Sequence, residues 1–245
     1  MITKNTVKLI QSLKLQKYRI EHGLFVVEGR KMVEELLQSP FEVCHLFATE
    51  RFLNEHPIDH SLLEPVTEVQ MEQMSGQDTP PGILAVAKIP KMHEIKATGL
   101  VLALDGIANP GNLGTIIRTA EWFGIKQIVC SEDCVELWNP KVIQATMGSV
   151  FRMSVTYCNL GGYLGQAKDN GTAIYGALLE GENLFKKEKR DEGIIVIGSE
   201  SHGIRRDILP LITHPITIPR AEGSVTESLN ASIAAGIILA NIVMN

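Results

Sequence analysis

Apolar residues in this chain fall into two rhythms that alternate along its length. Val7, Leu9, Ile10, Leu13 and Leu15 recur at mixed helical spacing and stop before Gly23, which predicts one amphipathic helix. LFVVEG then reads as a short strand, followed by a helix from Arg30 to Gln38 and a strand from Val43 to Ala48. A helix near Val69 to Met74 and a strand from Ile83 to Lys88 complete a small α/β unit. Pro90 to Gly99, PKMHEIKATG, is polar, carries Pro and Gly, and predicts a linker. The division drawn from this is a first domain over residues 1–92, a linker over 93–99 and a second domain over 100–245.

The second series has more strongly apolar strands. VLALD, QIVCS, MSVTY, TAIYGALL, IIVIG and HPITIP are apolar on both faces and alternate with helical segments. Strands of that kind predict a mostly parallel sheet covered on both sides by helices. Ligands bind such sheets beyond the carboxyl ends of the strands, so the loops after VLALD, IIVIG and PITIP are where chemistry is sought.

Composition narrows the class without deciding it. The 245 residues are 44% hydrophobic and 21% charged, as in ordinary globular proteins. Met1 to Lys14 lacks a signal-peptide pattern, and the last apolar run, Ala231 to Met244, is broken by Ser232, Gly236 and Asn241. A cytoplasmic protein without a membrane span is therefore expected. Cys44, Cys130, Cys134 and Cys158 form no CxxC pair, so reduced thiols and no metal site are expected. The net charge of −5 argues against a polyanionic partner, but it hides an asymmetry. Lys4, Lys8, Lys14, Lys17, Arg19, Arg30 and Lys31 face only Glu21 and Glu28 over the first 31 residues. Any polyanion would meet this basic segment first, the alternative being an ordinary solvated helix face.

Three loops carry the candidate chemistry. In LDGIANPGNLGTIIRTAEW, Gly106 and Gly111 have the spacing of a phosphate-binding loop, yet Asn112 and Leu113 stand where Lys and Ser/Thr would be needed. Read as structure alone, Asn112 would cap the helix and Arg118 would pair with Glu121 one turn on. In IIVIGSESHGI, Gly198 and Gly203 permit close backbone approach and Glu200 places a carboxylate between them. Ser201 and His202 are adjacent there, but the G-x-S-x-G elbow of a hydrolase is missing. In ITIPRAEGSVTESLNASIAAGI, a polar loop leads to Ser228, Leu229 and Asn230 at the start of a long apolar helix, where Ser228 or Asn230 could serve as its cap.

NPGNLGTIIRTAEWFG, IVIGSESHG and IPRAEGSVTESLNASIAAGI, in that order, resemble the three signature motifs of the SpoU/TrmH-type RNA ribose methyltransferases of the SPOUT superfamily. The N-terminal KLQKYRIEHGLFVVEGRKMVEELL resembles the L30e-like substrate-binding domain that often precedes them. The resemblance implies an α/β fold whose C-terminal domain holds a deep trefoil knot, a homodimer, and S-adenosylmethionine as cofactor. It implies ribosomal or transfer RNA as partner, with 2′-O-methylation of a ribose as the reaction; the separate N-terminal unit favours ribosomal RNA, a tRNA 2′-O-methyltransferase being the alternative. It casts Arg118, Asn112, Ser228, Asn230 and Glu121 as the reacting set, with Arg118 accepting the hydroxyl's proton; because a guanidinium stays protonated, Arg118 is read instead as orienting the ribose hydroxyl, with Glu121 orienting Arg118. Leu178, Gly198, Glu200, Gly203, Ile218, Pro219 and Leu229 are cast as the cofactor cradle. Two departures are visible: Asn109 stands where many relatives have Asp, and the loop from Arg220 to Glu227 is slightly long. A non-catalytic RNA-binding module on the same fold is the alternative from another class.

Overall fold

The computed structural model describes residues 2–90, 99–186 and 190–244, so the linker expected over 93–99 lies outside the described residues apart from Gly99. In chain order the elements are α1 (Lys4–Ser12), α2 (Gln16–His22), β1 (Leu24–Glu28), α3 (Arg30–Leu37), β2 (Val43–Thr49), α4 (Glu50–Glu55), β3 (Leu63–Val66), α5 (Glu68–Met74) and β4 (Ile83–Lys88). They continue as β5 (Leu100–Asp105), α6 (Pro110–Trp122), β6 (Gln127–Ser131), α7 (Pro140–Thr146), β7 (Ser154–Cys158), α8 (Leu160–Asp169), β8 (Ile174–Asn183), β9 (Gly193–Gly198), β10 (His214–Thr217) and α9 (Ala231–Met244).

These elements form two compact units. The first takes Met1–Lys91 together with Glu136–Arg152, and the second takes Met92–Val135 with Met153–Asn245. Residues 136–152, which carry α7, thus pack with the N-terminal elements although they follow β6 in the chain.

The first unit is built on a four-stranded sheet in the order β1-β4-β2-β3, antiparallel except for the β2/β3 pair. Ile10 and Leu13 from the first helical segment, Met71 and Met74 from α5, and Phe47, Leu84 and Val86 from the sheet close one core cluster. The helix expected to run to Gly23 is two helices: the chain breaks at Leu13–Leu15 and α2 ends on Gly23 with φ of 63°, a left-handed cap that glycine adopts without strain. Trp138 brings residues 136–152 into this unit, its ring centroid 4.5 Å from that of Phe25 and 5.9 Å from that of Phe41.

The second unit is a six-stranded, all-parallel sheet in the order β10-β8-β9-β5-β6-β7. Its central strands are buried along nearly their whole length, which is why they read as continuous apolar runs. Val101, Ala103, Val129, Ile194 and Val196 pack with Leu160 and Leu164 of α8. From β5 the chain moves outward through β6 and β7, then returns to place β9 on the other flank of β5. That reversal makes the carboxyl ends of β5 and β9 the switch point of the sheet, the position where open parallel sheets bind ligands. Among the described residues, no helix is long and apolar enough to cross a membrane.

Candidate functional site

Three loops leave the carboxyl ends of β5, β9 and β10. In the first, Asn109 rather than Asn112 is the N-cap of α6, its side chain accepting the Asn112 N–H at 3.1 Å, with Pro110 at the first helical position. The cap expected of Asn112 is therefore supplied three residues earlier, and the Asn112 amide is free for another task. It donates from Nδ2 to Oε1 of Glu200 in the second loop. Its Oδ1 accepts from Nδ2 of Asn230, at the end of the third loop, at 3.1 Å. One chain of hydrogen bonds thus joins the three loops through the residues singled out in each.

The second loop folds tightly because two glycines let it. Ser199 and Gly203 exchange backbone hydrogen bonds of 3.1 and 2.9 Å, with Gly203 at φ of 65°. A Cβ on Gly198 would stand 2.1 Å from the Gly203 carbonyl carbon, so no other residue fits without moving the backbone. Ser201 Oγ lies 2.7 Å from His202 Nδ1, a contact between exposed sequence neighbours that the hydrogen-bond chain does not include.

Asn230 also closes the third loop. Its Oδ1 accepts the backbone N–H of Ser232 at 2.9 Å and the Ser232 hydroxyl at 2.6 Å, capping α9 as expected. Residues 221–230 are exposed throughout, Ser228 and Leu229 among them, and Arg220 Nη1 donates to the Thr226 carbonyl at 2.9 Å across the loop. Ile218 is half-buried and Pro219 exposed at its start, while Leu178 packs half-buried against the core under β8.

Arg118 stands apart from this chain. It is exposed on α6, in line with Thr115 and with Trp122, which is 84% exposed. The expected Arg118–Glu121 ion pair is not among the ion pairs of the described residues, and Arg118 has no other partner among them.

The sequence reading passed over what holds these loops from below. Asp105, at the end of β5 and fully buried, accepts the Arg205 backbone N–H at 2.8 Å, and Arg205 Nε lies 2.7 Å from its other oxygen. Burial raises the Asp105 carboxyl above its ordinary range, while Arg205 pulls it down. Ser131 Oγ accepts the Gly106 N–H at 2.9 Å and Cys134 Sγ accepts the Ile107 N–H at 3.2 Å, fixing the first loop. The Cys134 thiol is brought down to about 7, chiefly by the Cys130 thiol beside it and, against the opposing effect of burial, by Ser131 and these backbone groups. The signal available in sequence was a lone carboxylate ending an otherwise apolar strand.

In the first unit the basic residues divide. Lys4, Lys8, Lys17 and Lys31 are exposed, and Arg30 is exposed in an i,i+4 pair with Glu34 at 2.7 Å. Lys14 Nζ donates to the Ser75 carbonyl at 2.6 Å. Arg19 corrects the expectation of an RNA contact: it is only 2% exposed, donating to the Leu13 carbonyl at 2.7 Å and pairing with Glu136. Its partner lies 117 residues away, so counting charges along the first 31 residues could not show that this one is spent inside.

A family model described as the SpoU rRNA Methylase family matches residues 99–240, and one described as an MRM3-like substrate binding domain matches residues 4–85. The chain is 27% identical to the 23S rRNA (guanosine(2553)-2'-O)-methyltransferase RlmP of Bacillus subtilis over 95% of this chain and 94% of that protein. It is 26% identical to the mitochondrial rRNA methyltransferase 3 of Xenopus laevis, over 96% of this chain and 73% of that one. Among solved structures, a TrmH-family protein of Porphyromonas gingivalis superposes with a TM-score of 0.89 at 36% identity, covering 98% of both chains. An AdoMet-bound rRNA methyltransferase of Sinorhizobium meliloti superposes with a TM-score of 0.85 at 25% identity, over 99% of this chain and 95% of that one.

Proposed function

Because the chain belongs to the SpoU rRNA Methylase family, we propose that it transfers a methyl group from S-adenosylmethionine to a ribose 2′-hydroxyl of ribosomal RNA. The observation that carries this reading is the hydrogen-bond chain Glu200–Asn112–Asn230, which gathers the three loops beyond the carboxyl ends of β5 and β9. The Bacillus subtilis and Xenopus laevis relatives, which match over 95% and 96% of this chain, are rRNA methyltransferases by name, which favours ribosomal over transfer RNA.

The residues present fit the cofactor. Gly198 gives up its side chain where the backbone folds back within van der Waals reach, and the third loop offers an exposed main chain from Pro219 to Asn230. Gly198, Glu200, Gly203, Ile218, Pro219 and Leu229 would hold it, with Leu178 behind. Bound there, S-adenosylmethionine supplies an electrophilic methyl on a sulfonium. A strong counter-anion against that cation would stabilise the ground state more than the transition state, in which the positive charge is lost. Engagement of the Glu200 carboxylate by the Asn112 amide suits that requirement.

The chain's own side chains must then place the ribose. A hydroxyl is a weak nucleophile, so alignment in line with the methyl and removal of its proton supply much of the rate. Asn112 and Asn230, locked to one another, hold the ribose or its phosphate, with Ser228 at the border. Arg118 is assigned to orient the 2′-hydroxyl and bind the neighbouring phosphate; a guanidinium stays protonated, so the proton leaves to phosphate oxygen or water. Its exposed, uncommitted position on α6 supports that role. Glu121, three positions on in α6, keeps the assignment of orienting it. In the first unit Lys4, Lys8, Lys17, Arg30 and Lys31 are the RNA contacts, with Lys14 tied to Ser75 and Arg19 withdrawn.

We also assign the trefoil knot and the homodimer. Trp122 on α6 and Ile233 and Met244 on α9 are exposed apolar residues on two helices packed together, a face suited to a second copy. Sedimentation at low micromolar concentration should give a dimer, and a monomer would remove that assignment.

The decisive experiment incubates the protein with methyl-labelled S-adenosylmethionine and ribosomal RNA from a strain lacking the gene, then hydrolyses in alkali. Label in alkali-resistant dinucleotides is expected, since a methylated 2′-hydroxyl cannot assist backbone cleavage. Label in mononucleotides would place the methyl on a base and overturn the reading.

A further inference from the structure

Both ends of the second loop converge on one buried residue. Asp105 lies opposite Gly198 in the parallel register of β5 and β9, so its backbone meets the loop where it departs. Its Oδ2 accepts the backbone N–H of Arg205 at 2.8 Å, where the loop returns. The Arg205 side chain then folds over the same carboxylate, with Nε 2.7 Å from Oδ1, and its Nη1 lies 3.7 Å from Asp133 in the turn after β6. The Nε–H is not aimed at Oδ1, so this side-chain contact is ionic and the directional bond is the one to the backbone. Asp105 has no exposed surface, whereas Arg205 keeps 38% of its own. A carboxylate buried so completely requires a compensating partner, and removing that partner strands its charge. The same residue is also the root of the first loop, seven positions before Asn112. Asp105 therefore stands at the root of both loops, the one that carries Asn112 and the one that carries Glu200.

We infer that Asp105 and Arg205 are positioning residues for cofactor binding: together they hold the second loop in the shape that presents Gly198, Glu200 and Gly203. This rests on the reading of the site as an S-adenosylmethionine cradle. A pair serving the fold alone would lower stability without acting on cofactor affinity in particular, and neutralising both members would not restore that affinity.

The test uses the full chain with Arg205→Ala, Asp105→Asn and the double variant, titrated with S-adenosylmethionine in a calorimeter. Arg205→Ala should raise Kd at least tenfold, and KM for the cofactor should rise more than kcat falls. In the double variant the amide oxygen introduced at position 105 still accepts the backbone N–H of position 205 but carries no buried charge, so at least half of the lost affinity, on a logarithmic scale, should return. Hydrogen exchange without cofactor reads the clamp independently: in Arg205→Ala, amides of residues 199–206 should exchange faster while those of β6 stay as they were. An unchanged Kd with unchanged exchange, or a double variant no better than Arg205→Ala, overturns the inference. Should Arg205→Ala not fold, Arg205→Gln keeps most of the side chain's length and loses its charge; it should fold with Kd raised several-fold, and an unaltered Kd would refute the clamp. If the unmodified protein fails to bind S-adenosylmethionine, the functional reading falls, while the exchange comparison still decides whether the clamp exists.

Discussion

The first two loops and the third are held in opposite ways. The first has its backbone fixed from beneath by Ser131 and Cys134, and the second is pinned at both ends by Asp105. The third is exposed over residues 221–230 and is secured by one arginine hydrogen bond and by Asn230. Rigid groups that need no reorganisation at the moment of reaction belong where the methyl and ribose meet. A segment that must admit a ligand belongs at the low-stability end of the structure. The contrast therefore separates a preformed floor from an adaptable wall, and each prediction below strikes one or the other.

The largest effect is expected from the floor. Gly198→Ala forces a Cβ onto the Gly203 carbonyl carbon and should cost about 2–3 kcal/mol of stability, with cofactor binding lost in a titration. Asn112→Ala cuts the link between all three loops and should lower kcat/KM by about 10- to 100-fold, a loss of roughly 1–3 kcal/mol from broken hydrogen bonds in the site, measured with labelled cofactor. An intermediate effect concerns Cys134, whose thiol sits below its unfolded value of 9.0, at about 7. A depressed acid contributes stability above the unfolded value and loses it as pH falls through the folded one. Urea midpoints should therefore rise between pH 7 and pH 9 by the equivalent of about 1 kcal/mol, and Cys134→Ser should flatten that rise. The wall is the least sensitive: Arg220→Ala removes one exposed hydrogen bond and should change stability by about 0.5 kcal/mol or less, while raising KM for the cofactor a few-fold. If Arg220→Ala proved as harmful as Asn112→Ala, the division into floor and wall would not stand.

How far the sequence could be read follows the same physical line. Buried parallel strands announce themselves as unbroken apolar runs, so β5, β6 and β9 were legible. The short α4 and β3 were not, since six and four residues carry too little periodicity and β3 contains Pro65. The break between α1 and α2 was invisible because Leu13 and Leu15 continue the apolar rhythm with no glycine or proline to mark it. Asn112, Glu200 and Asn230 were found through the order of three motifs, and the structure joins them by hydrogen bonds. Asp105 with Arg205, and Arg19 with Glu136, were missed because each depends on a partner about a hundred residues away. Local pattern shows where a charge stands in the chain but not what it faces in space.

Residues 136–152 have a consequence for how the molecule comes into being. The first unit lacks Trp138 and the Glu136 that neutralises Arg19 until those residues have been synthesised. Domains generally complete in order as the chain emerges, yet here β5 and β6 precede the last piece of the unit before them. The nascent protein must wait, holding an unfinished aromatic cluster around Phe25 and Phe41 while the strands of its neighbour already press to pair. A gene cut within residues 91–98 would encode not a free-standing domain but one with its keystone left on the other fragment.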